Sequence, residues 1–180
     1  MNKPLILTLT DHNDLRLRSI DDNDIEDLRN WKNKNKDSFF LNKEITEEQQ
    51  QKWFASFSSK ENDHMFIVEQ KESREWVKIG CMGFRKLEEE GCVDAYNIIS
   101  SHRIDSATFS MSDAFRVMLA YANSLYPNLP IQVKVLAHNP AVMWYQVNKF
   151  TVLKQVENYV IMQLNLNLTK KTKINKIELA

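Results

Sequence analysis

Glycine, cysteine and net charge are what this chain has least of. Only 3 of its 180 residues are glycine. None falls in ATFSMSDAFRVMLAYA, residues 107–122, where a run of hydroxyl residues passes into an apolar-periodic helix. A helix start of this kind offers backbone N–H groups to an anion, yet the glycine that lets a phosphate approach backbone closely is missing. Lys+Arg and Asp+Glu both number 24, so the formal net charge is +0 and no whole-protein field steers the chain to nucleic acid. A nucleic-acid partner is therefore disfavoured. No apolar run approaches the ~20 residues that span a bilayer, and MNKPLILTLTDHND lacks the apolar segment and cleavage site of a signal peptide. The expectation is a soluble, cytoplasmic protein with no membrane partner. The two cysteines fall in one hairpin around LEEEG, where Cys92 pairs near Leu87 and leaves Cys81 ~20 Å away, beyond disulfide reach. Histidines 12, 64, 102 and 138 form no pair at metal-ligand spacing, so no metal is expected.

What is present reads as one domain of an α+β class. LILTL and LRLRSI alternate as strands around the turn TDHND. Asp21 and Asp24 then open a short helix with Ile25, Leu28 and Trp31 at helical spacing, and Thr46 and Gln49 have capping-box spacing before a second helix. HMFIVEQ, VKIGCMGFRKL and CVDAYNII follow as antiparallel strands. Ala114, Val117, Met118, Tyr121, Ala122 and Leu125 mark the buried face of a long helix. IQVKVL is a strand, PAVMWYQVN a helix with Pro140 in its first turn, and FTVL and YVIMQLNL are strands. The order is β-β-α-α-β-β-β-α-β-α-β-β over residues 1–168, with 169–180 a polar, basic tail expected to fray.

This succession, with NPAVMWYQVNKF after the penultimate group of strands, resembles the GNAT superfamily of N-acetyltransferases over roughly residues 14–165. Asn139, Tyr145 and Phe150 match the family's second cofactor segment, Asn-x-x-Ala/x-x-x-Tyr-x-x-x-Gly-Phe, with Lys149 where glycine is usual. The resemblance implies a central mixed, mostly antiparallel splayed sheet flanked by about four helices. It also implies acetyl-CoA as co-substrate, lying in a gap between the strand ending YNII and IQVKVL. Backbone groups of Asn97, Ile98, Ile99 and Ser100 would hold its pantetheine arm, and Asn139 and Tyr145 would contact it. Aligning SDAF on the family's helix start puts Phe109 and Met111 at the two small-residue positions of the diphosphate turn. Ser106 then takes the Gln/Arg position, and the helix N–H groups with the Ser110 and Ser112 hydroxyls remain as anion donors.

An acceptor amine must lose a proton before it attacks a thioester, and the departing thiolate needs one. Strand alternation puts Cys92, Asp94, Tyr96 and Ile98 on one face and Val93, Ala95, Asn97 and Ile99 on the other. Asp94 lies on the strand where several GNAT members carry their carboxylate and is the candidate base, directly or through water; Glu69 and His102 are alternates. Tyr145 is the candidate acid. Each has a plain structural reading beside this one: Asp94 as a strand carboxylate, Tyr145 as core, Asn139 before Pro140 as a helix start, and His102 with Arg103 as turn residues or positive charge for a diphosphate.

The N-terminal half resembles the arm of GNAT members that acetylate nucleotide-linked amino sugars, and of related ribosomal-protein N-terminal acetyltransferases. Trp31 and Asn33 match a Trp-Arg-Asn triplet common there, with Lys32 at the arginine position. Trp53, beside Phe54, is either core or a platform for a flat base. The implied acceptor is the primary amine of a small molecule. Two alternatives stand beside this one: a GNAT-fold binding or regulatory module that no longer turns over acetyl-CoA, and a protein N-terminal acetyltransferase.

Overall fold

The computed structural model describes residues 4–10, 12–101, 105–166 and 172–179, of which 12, 13 and 105–110 by backbone alone. β1 (Leu5–Leu9) and β2 (His12–Ser19) pair antiparallel, as their alternation predicts. Asp21 accepts from the Asn23 N–H at 2.8 Å while its own N–H donates to Asp24 Oδ2 at 2.8 Å, a reciprocal cap that starts a 3-10 turn and then α1 (Ile25–Lys34). Thr46 and Gln49 exchange the same pair of bonds, 3.2 and 3.0 Å, at the head of α2 (Glu47–Phe57). β3 (Asp63–Glu72), β4 (Glu75–Leu87) and β5 (Cys92–Ser100) form a meander. Then come α3 (Asp105–Leu125), β6 (Ile131–Leu136), α4 (Ala141–Val147), β7 (Phe150–Val156), β8 (Tyr159–Leu164) and β9 (Ile174–Glu178).

The nine strands among the described residues share one sheet in the order β7-β8-β6-β5-β4-β3-β2-β1-β9. Every neighbouring pair is antiparallel except β5 and β6. One face is closed by α3 and α4 over a continuous core in which Phe66, Phe84, Val93, Val133 and Met162 meet Ala114, Phe115, Met118 and Ala122. The other face carries α1 and α2 over a smaller cluster of Leu28, Met65, Ile67, Cys81 and Ile99, rimmed by Trp31, Trp53 and Phe57. Each large apolar side chain fully removed from water contributes roughly 1.5–3 kcal/mol, so the first face supplies most of the hydrophobic stabilisation.

Four expectations need correction. α3 begins at Asp105, so residues 107–112 are helical and not a turn ahead of the helix, although their Ser and Thr are weak helix formers. Leu125, placed on the buried face, is 40% exposed because the helix ends there. The alternation of β5 breaks at Asn97, whose φ of 49° belongs to the left-handed region. A bulge lets Tyr96 pair with Gly83 and Ile99 with Cys81, so Ile99 joins Tyr96 on the α1/α2 face and Ile98 turns to the other. Within the tail, Ile174–Glu178 is a strand and does not fray: β1 would otherwise be a bare edge, and Ile174 packs on the larger core. The cysteines behave as expected, with Cys92 opposite Leu87, Cys81 opposite Ile99, and both thiols buried and free.

Candidate active site

β5 and β6 run parallel only where Val93 faces Ile131 and Asp94 faces Gln132. Beyond that vertex β6 is held by β8 on its far side and β5 by β4, so the edges from Ala95 and from Val133 onward face each other without a ladder. Backbone donors and acceptors on facing strand edges need partners, and a slot of this kind suits an extended ligand.

Asp94 stands at the vertex. Its Oδ2 accepts from Arg85 Nε at 3.0 Å and lies 2.9 Å from Nη2, across the β4–β5 pair. Burial pushes this carboxyl above its ordinary value while the Arg85 charge opposes the shift. Tyr145 projects from α4 into a nest of Phe115, Trp144 and Phe150, all with ring centroids within 6.0 Å, and is 8% exposed. Burial pushes its phenol well above the usual value, and the Asp94 charge adds to that, so the hydroxyl stays protonated through the neutral range. Asp94 is thus a carboxylate paired with Arg85 at the vertex, and Tyr145 a protonated phenol within the core under α3 and α4. Tyr96 donates to Asp63 and lies under the Arg85 guanidinium, 4.8 Å from the ring centroid.

On the α1/α2 face the bulge opens into a cleft of about 110 Å³ between the two helices and the sheet, lined by Leu28, Lys32, Ile45, Trp53, Cys81 and Asn97 among others. Lys32 Nζ donates to Asn97 Oδ1 at 3.2 Å, and the Cys81 thiol donates to the Asn97 carbonyl at 3.4 Å. Burial pushes the Cys81 thiol up to about 12, against the pull of Lys32, so it remains a thiol and not a nucleophile. Lys32 had only its place in the triplet to mark it in the sequence. It lies one helical turn after Leu28, a spacing that puts both on the sheet-facing side of α1.

The remaining candidates divide. Trp53 lines the cleft and stacks on Phe57 at 5.3 Å. Asn33 turns away from it: its amide exchanges bonds of 2.8 and 2.9 Å with the Ile45 backbone, which fixes a residue of the cleft wall. Trp31 packs on the smaller core. Asn139 Oδ1 accepts from the Ala141 N–H at 2.9 Å and its Nδ2 donates to the Ser38 carbonyl at 3.2 Å, a helix-start role. Glu69 is gripped by Arg16 at 2.5 Å and Arg18 at 3.2 Å and is no base in this arrangement. Asn97 and Ser100 lie on the splayed part of β5 with Ile98 and Ile99. Met111, 4% exposed, belongs to the core, and a Cβ built on Gly80 would lie 3.1 Å from its sulfur. Ser112 accepts from Asn148 at 3.4 Å. Phe109 and Ser110 are helical in backbone, one turn inside α3, and their side chains lie outside the described residues, as do His102 and Arg103. The bulky pair Phe109 and Met111 therefore does not occupy the first turn, which is Asp105 to Thr108. Among the described residues no group of His, Cys, Asp and Glu can hold a metal, and no helix is long and apolar enough to cross a membrane.

Residues 14–145 match the family model described as the acetyltransferase (GNAT) domain. The chain belongs to the GNAT acetyltransferase family. No curated protein matches this GNAT chain. Among solved structures it is similar to a domain from Methanocaldococcus jannaschii DSM 2661, at 20% identity and a TM-score of 0.72 over 84% of this chain and 98% of that one. It is also similar to a spermidine N-acetyltransferase from Vibrio cholerae in complex with CoA and spermine, at 16% and 0.67, covering 84% and 94%. A third is FdhC, a nucleotide-linked sugar GNAT, at 15% and 0.66, covering 87% and 89%. At these identities the likeness is one of fold, and the mixed sheet of nine strands with four helices is the GNAT architecture.

Proposed function

We propose that this GNAT protein is an acetyl-CoA-dependent N-acetyltransferase acting on the primary amine of a small acceptor, with a nucleotide-linked amino sugar as the leading candidate. The observation that carries the reading is the divergence of β5 from β6 just past Asp94, with the Lys32 cleft meeting the same strand at its bulge. Acetyl-CoA supplies an acetyl group activated as a thioester. The backbone of β5 from Ala95 to Ser100 offers ladder groups to its extended arm, and the first turn of α3 offers N–H groups to its diphosphate, with small residues Ser106, Ala107 and Thr108 in place of glycine. Asp94 takes a proton from the acceptor ammonium, directly or through a water. Its upward shift brings it closer to the neutral range, where a base works best. Tyr145 gives its proton to the leaving sulfur. The nucleotide-sugar acceptor draws its support from Trp53, an aromatic face on the cleft, and from the likeness to FdhC.

Incubation with labelled acetyl-CoA and a panel of amino sugars, nucleotide-linked amino sugars and peptides, alongside a thermal melt, tests this. A ligand at 100 times its Kd adds about 2.7 kcal/mol. Stabilisation by acetyl-CoA with transfer to the sugars is expected. Stabilisation with no transfer to any amine points to the binding-module alternative, and neither effect overturns acetyl-CoA use altogether.

A further inference from the structure

Across the α1/α2 face, several cations are matched by carboxylates. Lys78 lies 2.8 Å from both Asp24 and Asp27, Lys52 lies 2.6 Å from Glu48, and Arg85 is held by Asp94. Lys32 differs. No salt bridge reaches it among the described residues; its contacts are the neutral Asn97 Oδ1 at 3.2 Å and the face of Phe39 at 5.3 Å. The cleft it points into has Leu28, Ile45, Gln49, Gln50, Trp53, Met65, Cys81, Asn97 and Ile99 as its other walls, none of them a carboxylate. A site for a polyamine needs anions to replace the water around its ammonium groups, and this cleft offers a cation instead.

We propose that Lys32 reads an anionic group carried by the acceptor, so that the cleft takes amines bearing a phosphate or carboxylate and turns away polyamines. The inference deepens the acetyltransferase reading and rests on it for the acceptor's amine. Burial already holds the Lys32 ammonium below its ordinary value, with Arg85 adding to the effect, and an incoming anion relieves that desolvation. Charge-assisted bonds in a partly dry site are stronger than neutral ones, which makes Lys32 a discriminating contact. Lys32 bonds to the bulge residue Asn97, three positions along β5 from Asp94, so an acceptor whose anion it holds spans roughly 10 Å to bring its amine to Asp94.

Binding is measured by titration calorimetry without acetyl-CoA, using glucosamine phosphate, γ-aminobutyrate, glucosamine and spermidine against the wild type, Lys32→Gln and Lys32→Glu, each confirmed folded by its melt. The wild type is expected to bind at least one of the two anionic amines about tenfold or more tightly than glucosamine and spermidine, with the phosphate and carboxylate arms telling which anion it prefers. Lys32→Gln should abolish that preference while leaving glucosamine within about twofold, and Lys32→Glu should favour spermidine. Equal losses for glucosamine and the anionic amines would show a merely structural lysine and overturn the proposal, as would a wild type that binds neither anionic amine. Acetyl transfer is then assayed separately: a Lys32-dependent preference without transfer upholds the cleft assignment and overturns the acetyltransferase reading, and transfer without the preference does the reverse.

Discussion

The face of the sheet under α3 and α4 is closed by interlocking apolar side chains, whereas the face under α1 and α2 combines a small apolar cluster with buried ion pairs and a cleft. Phe115 on the first face is fully buried and touches Trp144, Tyr145 and Phe150. Asp24 at the second is also fully buried, but it is held by Arg18 at 2.9 Å and Lys78 at 2.8 Å. One face secures the fold by volume and the other by directed bonds, and the directed face is the one left open to a ligand. The vertex of β5 and β6 joins them, because Tyr145 approaches from the closed side and Asp94 faces the open one.

Substitutions on the two faces should separate these roles. Phe115→Ala is expected to have the largest effect, about 3–5 kcal/mol by denaturant unfolding, from lost contacts and the cavity left behind. Asp24→Asn should lower stability by about 3 kcal/mol, the low end for a broken buried pair because Arg18 keeps Glu69. Burial works against the Asp24 charge, but bonds from Arg18 and Lys78 outweigh it and hold its pKa below 3.8. A carboxylate depressed in the folded state contributes fully above that ordinary value and loses its contribution as pH falls through the folded one. The wild type should therefore lose more stability than Asp24→Asn when melts are repeated on acidification below about pH 4. Trp53→Ala, on the half-open cleft, should reduce stability by only about 1–2 kcal/mol while raising the acceptor KM. Smallest is Lys149→Gly. Lys149 has φ of 70° where the family carries glycine, and relieving it should add about 0.5–1 kcal/mol in a thermal melt.

Local signals in the sequence located most of the fold. Both capping boxes were legible because their partners sit three residues apart, and the succession of strands along the chain because β-rich runs alternate with turns. Features that depend on cross-strand partners were not. The bulge at Asn97 reverses Ile98 and Ile99 only because of how β5 pairs with Cys81 and Gly83, and β9 is recruited by the free edge of β1 although INKIE is mostly polar. The start of α3 was obscured by Ser, Thr and Asp, residues at home in caps and turns. Asp94 and Tyr145 were legible through the family pattern, but the short parallel pairing that puts Asp94 at the vertex was not. Lys32 was marked only by its place in the Trp-Arg-Asn triplet, because the cleft around it depends on how α2 packs against α1 and the sheet.

The most direct test of the vertex is the kinetics of Tyr145→Phe, measured as CoA release on an accepted amine together with acetyl-CoA affinity. The phenol is expected to act as a proton donor, so kcat should fall by roughly 10²–10⁴-fold while the Kd for acetyl-CoA changes little. A kcat within a few-fold of wild type would contradict that role and leave Tyr145 as a core residue.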